Sequence, residues 1–111
     1  MSKLPNAENA LVDIRKIADY LLDPMHHRGR HKARVFRAAL GIGREDAEWL
    51  RERLLAAAHN EEARFTYRDE FGERYELNFV LVGLDRDVTI RSSWIVLHSE
   101  TFPRFTGCYI L

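Results

Sequence analysis

Apolar positions recur at helical spacing through "DIRKIADYLL", where Ile14, Ile17, Ala18 and Leu21 share one face and Asp13 stands where a capping carboxylate belongs. The pattern predicts a helix over residues 13–22 that Pro24 brings to a stop. A second helix is predicted in "HKARVFRAALG", with Val35, Phe36, Ala39 and Leu40 to one side and Gly41 as its terminator. A third follows in "REDAEWLRERLLAAA", which has acids in its first turn and Ala47, Leu50, Leu54 and Ala57 on a stripe. After Asn60 the period changes to two. Tyr75, Leu77, Phe79 and Leu81 share one side of a strand, and Val88, Ile90, Trp94 and Val96 one side of the next. Turns are expected at "EFGE", "GLDRD" and "ETFP", giving about four strands in an antiparallel meander.

The predicted fold class is α+β, with three amino-terminal helices packed on one face of a roughly four-stranded antiparallel sheet. One domain over residues 1–111 is expected, divided into a helical half (13–59) and a sheet half (64–111), since a chain of this length suits a single core. The sheet's other face is left open, and the alternation puts Thr89, Arg91 and Ser93 there, with Arg104 and Thr106 on a shared side of the last strand. In that strand Phe105, Tyr109 and Leu111 alternate with Thr106, Cys108 and Ile110. Apolar groups on both sides predict a strand covered on both sides and paired with "RSSWIVL".

Composition narrows the function classes. With 46% apolar residues and 31% charged the chain reads as globular, and no apolar run approaches the roughly 20 residues of a membrane span. The amino terminus lacks a signal-peptide core, so a cytoplasmic protein with no membrane partner is expected. A single cysteine, Cys108, supports neither an internal disulfide nor a cysteine-rich zinc site.

Charge changes the picture locally. The chain balances 17 basic against 17 acidic residues, yet "HHRGRHKARVF", residues 26–36, holds no acid at all. Arg28, Arg30, Lys32, Arg34 and Arg37 suit a phosphate-bearing partner, because guanidinium groups grip phosphate in a fork and an ammonium adds a point charge. Gly29 would permit close backbone approach, and the helix start beyond it would offer amides to an anion. A solvated helix face, or a face for an acidic protein, explains the same charges. His26, His27 and His31 sit among cations with no carboxylate in the segment, which disfavours a metal; the expected alternative is proton transfer in metal-independent cleavage of RNA. "GIGRED" follows a helix and lacks the third glycine of a dinucleotide loop, Ser92 and Ser93 sit in no nucleophile elbow, and Trp94 lies on the apolar side of its strand.

The stretches "LPNAENALVDIRKIADYLLDPMHHRGRHKARVF", "WIV" and "FPRFTGCYIL" resemble a bacterial family described as a domain of unknown function, whose members run "LPNAE", "HPxGRHKAxVF", "RSAWIV" and "FPRLTSCYVL". The resemblance covers almost the whole chain, with Met25-His26-His27 standing where that family shows His-Pro. More loosely, the chain resembles carboxyl-terminal nuclease domains of contact-dependent inhibition and polymorphic toxins, of the barnase, EndoU, colicin and RelE type of fold. That resemblance implies a metal-independent ribonuclease without cofactor. Position by position it implicates His26 or His27, Gly29, Lys32, Trp94 and Thr106. The expected site is therefore catalytic at His26, His27, His31, Lys32 and Thr106 and phosphate-binding at Arg28, Gly29, Arg30, Arg91 and Arg104. The expected partners are RNA and a small acidic cognate protein. The competing class is a binding module without catalysis, docking nucleic acid or an acidic protein.

Overall fold

The computed structural model describes residues 2–111. Asp13 caps a short helix α1 (Ile14–Lys16), its carboxylate accepting the Arg15 backbone N–H at 3.0 Å. Instead of continuing as an α-helix, the chain widens into a π-helical turn over Ile17–Leu21, in which the Leu22 N–H donates to the Ile17 carbonyl at 2.8 Å. Ile17, Leu21 and Leu22 thereby all reach the core. Helix α2 (Arg30–Leu40) buries Ala33, Phe36 and Leu40 and ends at Gly41, whose φ of 71° is the left-handed conformation that glycine adopts without strain. Val35, expected on the buried side, is exposed. Helix α3 (Ala47–Asn60) buries Ala47, Leu50, Leu54, Ala57 and Ala58, which contains the predicted stripe.

Four strands follow, β1 (Arg64–Arg68), β2 (Gly72–Val82), β3 (Asp87–Leu97) and β4 (Arg104–Ile110), in the order β1-β2-β3-β4 with every neighbour antiparallel. Leu77, Phe79 and Leu81 of β2 pair with Ser92, Ile90 and Val88 of β3 on the core face, while Glu76, Asn78 and Val80 pair with Ser93, Arg91 and Thr89 on the other. One apolar cluster joins this core face to Ile17, Phe36, Leu50 and Leu54. Trp94 is part of it, 1% exposed, with its indole N–H donated to the Ser92 hydroxyl at 2.9 Å; Ser92 in turn donates to the Leu77 carbonyl.

The predicted arrangement of three amino-terminal helices on one sheet face needs correction. The fold is α+β with a four-stranded antiparallel sheet, but the first of the three helices reduces to one α turn and a π turn. The segment before it holds a short 3-10 turn (Ala7–Asn9) and then touches the last strand through a single bridge. Leu11 makes a parallel bridge to Arg104, donating its N–H to the Pro103 carbonyl and accepting the Phe105 N–H, each at 2.9 Å. The two longer helices meet that core face at different strands. Helix α3 packs on β2 and α2 on β4, while every residue of β1 is exposed.

The last strand departs from simple alternation too. It pairs with β3 as expected, but the register slips between Ser93 and Trp94, which pair with Gly107 and Phe105, so Thr106 is an extra bulged residue. The bulge resets the phase: Phe105 and Cys108 are both buried although three apart, and Tyr109 and Leu111 are exposed. The expectation of cover on both sides is corrected accordingly.

Candidate functional site

The basic segment begins as scaffold. His26 Nδ1 accepts the backbone N–H groups of Arg28 and Gly29 at 3.0 and 2.9 Å, and the His26 carbonyl accepts that of Arg30. Of the helix-start amides expected to be free for an anion, that of Arg30 is thus committed to His26. Gly29 does permit a close approach, but of the protein to itself: a Cβ there would stand 2.0 Å from the Tyr20 carbonyl oxygen. The His26 ring packs against the Tyr20 ring with centroids 4.6 Å apart, which fastens the segment to the π turn. Arg30 folds back to donate to the His27 carbonyl. His27, Arg28 and His31 are exposed, and none of Arg28, Arg30, Lys32 and Arg34 forms an ion pair with a carboxylate among the described residues.

Lys32 points the other way. Its ammonium lies 3.3 Å from the Cys108 carbonyl and 5.9 Å from the centre of the Tyr109 ring, at the free edge of β4. Here the fold brings Lys32 and Thr106 together in one cleft of about 450 Å³, whose other walls are Asp13, Arg15, Lys16 and Tyr20 with Leu21, Phe105 and Gly107 behind them. The bulge at Thr106 and the turn Ile14–Leu21 form the two lips. The cleft holds three cations against one carboxylate, and that carboxylate is already engaged. Asp13 takes Arg15 in a fork, Nε at 3.1 Å and Nη2 at 2.8 Å. Those hydrogen bonds from Arg15, side chain first and backbone second, pull the Asp13 carboxyl down to about 2. An anion entering the cleft meets Lys16 and Lys32, the exposed Arg15 guanidinium, and the Tyr20 and Thr106 hydroxyls.

The remaining predicted residues lie elsewhere. Arg91 is on the open sheet face beside Asn78, which accepts from its Nε at 3.0 Å, and Glu76 at 4.0 Å. Arg104 is clamped by Glu100 through two 2.6 Å hydrogen bonds, which hold the Glu100 carboxyl below its ordinary range, and its guanidinium lies over Phe102. Arg30 lines a different hollow of about 470 Å³ with Arg34, Arg37 and Arg44. Of the predicted set, then, Lys32 and Thr106 meet in the cleft; the histidines, Arg28, Gly29, Arg30, Arg91 and Arg104 do not line it. Arg15, Lys16 and Tyr20 were missed. For two of them a signal was present: Asp13, Lys16 and Tyr20 follow the spacing of one helix face, beside the apolar one, and that polar face carries a cation and an aromatic ring.

A family model described as Domain of unknown function (DUF6883) matches residues 3–111. The chain belongs to that family. No curated protein and no solved structure was found to match it. Both lips of the cleft, and the basic segment between them in sequence, lie within the matched span, so the site is part of the family domain. Among the described residues no helix is long and apolar enough to cross a membrane, and no group of three or more His, Cys, Asp or Glu is placed to hold a metal.

Proposed function

We propose that the chain binds single-stranded RNA, gripping a phosphate in the cleft between Tyr20 and Thr106. The observation that carries this reading is the meeting of Lys32 with Arg15, Lys16, Tyr20 and Thr106 around one cavity with a cationic excess. Aromatic rings interleaved with cations are what an unpaired strand needs, since bases stack on the rings while phosphates take the charges. Tyr20 and Tyr109 are 38% and 42% exposed on either side of Lys32. The unpaired cations Arg28 and Arg34 extend the positive surface along α2, so the basic segment serves both as clamp and as approach path.

Cleavage is the second reading. It is favoured by the fact that Lys32 and Thr106, two positions implicated by the resemblance to toxin nucleases, share this cleft. In that reaction the ribose 2′-oxygen attacks phosphorus as its proton passes to solvent water, the bond from phosphorus to the 5′-oxygen breaks as that oxygen takes a proton from water, and Lys32 and Arg15 offset the charge on the phosphorane. The expected role of the histidines is not retained in this proposal: His26 spends Nδ1 on two backbone amides, and none of the three lines the cleft.

Fluorescence anisotropy with a short labelled RNA tests the binding. Affinity should fall with salt, and Lys32→Met should lower it and flatten the salt slope by roughly 0.7 for each phosphate that is no longer neutralised. A salt-independent affinity, or none, overturns the proposal. Incubation with RNA in chelator separates the two readings: fragments abolished by Lys32→Met and retained by His31→Ala establish cleavage, and their absence leaves binding alone.

A further inference from the structure

Thr106 belongs to two hollows. Besides the cleft, it lines a depression of about 320 Å³ with Thr66, Tyr67, Arg74, Glu76 and Ser93. The register puts Arg74, Glu76 and Ser93 on the sheet face away from the helices, Glu76 paired with Ser93 and Ser93 in turn with Gly107. The bulge is what makes the connection, because the extra residue in β4 pushes Thr106 out to the rim between edge and face. Within the depression the Arg74 guanidinium lies 5.7 Å from the centre of the Tyr67 ring, and Asp69 holds Arg74 from the far side through a 2.7 Å hydrogen bond. Tyr67 is itself half exposed, so a fixed planar surface is presented to solvent.

Glu76 closes the depression on the side of β2, paired with Arg64 and next to Arg91. The local charge is therefore nearly balanced, unlike that of the cleft: one guanidinium and one carboxylate, with the hydroxyls of Thr66, Tyr67, Ser93 and Thr106 around them. Such a surface has nothing to offer a phosphate that the cleft does not offer better. It suits a nucleobase, whose face stacks on an aromatic or guanidinium plane and whose edge carries both donors and acceptors. We infer that the sheet face at Tyr67, Arg74, Glu76 and Ser93 is a second subsite, which stacks the base of the nucleotide next to the phosphate held in the cleft, the strand crossing over Thr106. This deepens the RNA-binding reading and rests on it: the cleft supplies charge, the sheet face supplies stacking, and Thr106 is the step between them.

The test compares a base-free monophosphate, ribose 5-phosphate, with single-stranded RNA of about two and about eight nucleotides, within the range of site sizes known for unpaired strands. The two-nucleotide ligand should bind wild type at least about tenfold more tightly than the monophosphate, the gain expected of one stacked base. Tyr67→Ala should erase most of that gain and leave the monophosphate affinity unchanged, whereas Lys32→Met should weaken all three ligands. Because Tyr67 is on an exposed strand, thermal unfolding of Tyr67→Ala serves as the check on folding, and Tyr67→Phe should retain the gain. If monophosphate and dinucleotide bind alike, or if Tyr67→Ala weakens both equally, the second subsite is refuted while the cleft stands. If no ligand binds and Lys32→Met changes nothing, the cleft itself is refuted, and the subsite with it.

Discussion

Replacing Gly29 by alanine is the sharpest perturbation of the scaffold beneath the site. The backbone at Gly29 has φ −81° and ψ −16°, ordinary right-handed values, so alanine is conformationally acceptable there and would by itself stabilise the chain by about 0.4–1 kcal/mol through the unfolded state. Sterics decide the sign. The added carbon would lie 2.0 Å from the Tyr20 carbonyl oxygen and 2.8 Å from its carbon, both backbone atoms, where roughly 3.5 Å is a comfortable separation. The segment would have to retreat by roughly 1.5 Å, the overpacking of a fitted contact that costs about 1–3 kcal/mol. The retreat also strains the two hydrogen bonds to His26 Nδ1, each worth about 0.5–1.5 kcal/mol. A net loss of roughly 2–4 kcal/mol follows, read in thermal unfolding as a Tm lower by roughly 10–25 °C. Gly107→Ala is the control, since a Cβ there meets nothing within 4 Å; it should leave Tm close to wild type. A Gly29→Ala protein as stable as wild type would falsify the claim that this glycine exists for the contact with Tyr20.

Other expectations follow from single groups. Ser92→Ala leaves the buried Trp94 indole N–H without its acceptor and should cost about 1–3 kcal/mol by denaturant titration; an unchanged midpoint would mean the hydroxyl is dispensable. Burial pushes the Cys108 thiol up to about 12, so at neutral pH it should resist alkylation while folded and react at once in denaturant; rapid labelling of the native chain would contradict the buried position. Asp13 is lowered from 3.8 to about 2, so the stability it contributes is present above the unfolded value and is lost as pH falls from about 4 through 2; carboxyl NMR showing an ordinary titration would dismiss the Arg15 fork. Deleting residues 108–111 removes the buried Cys108, the half-buried Ile110 and the Leu111–Thr89 bond, and should cost roughly 3–5 kcal/mol independently of protein concentration; a loss that depends on concentration would make the edge an association seam instead.

What the sequence made legible was periodic, and what it hid was a break in period. The α3 stripe and the alternation of Leu77, Phe79 and Leu81 against Val88 and Ile90 appear in the structure as read, because burial repeats there over several turns or pleats. The π turn at Ile17–Leu21 keeps the apolar spacing of an α-helix to within one residue, so its widening leaves no trace in the pattern. The bulge at Thr106 does the same in β4. One inserted residue exchanges the faces of everything on one side of it, which is why Tyr109 and Leu111 are outside while Phe105 and Cys108 are inside. Both breaks border the cleft, and strained or irregular backbone at a site is where local rules are expected to fail.

The charge of residues 26–34 separates into two roles once the backbone is followed. Between His26 and Arg30 the chain needs a side-chain acceptor to tie a turn and a residue without Cβ to lie on Tyr20, and the imidazole of His26 and the bare backbone of Gly29 meet those needs. Lys32, one turn further on, is carried by α2 over the edge of β4, where its ammonium takes a carbonyl that edge strands otherwise leave exposed to another chain. A lysine serving only to blunt the edge would do so from anywhere in solvent. This one shares a cavity with Lys16 and Arg15, where three cations face the single carboxylate of Asp13, already held by Arg15, so a positive excess is left for an anion to offset. That excess should make Lys32→Met cost little stability, under about 1 kcal/mol, while removing a charge the ligand needs. Loss of binding with stability retained is the pattern that separates a site residue from a structural one.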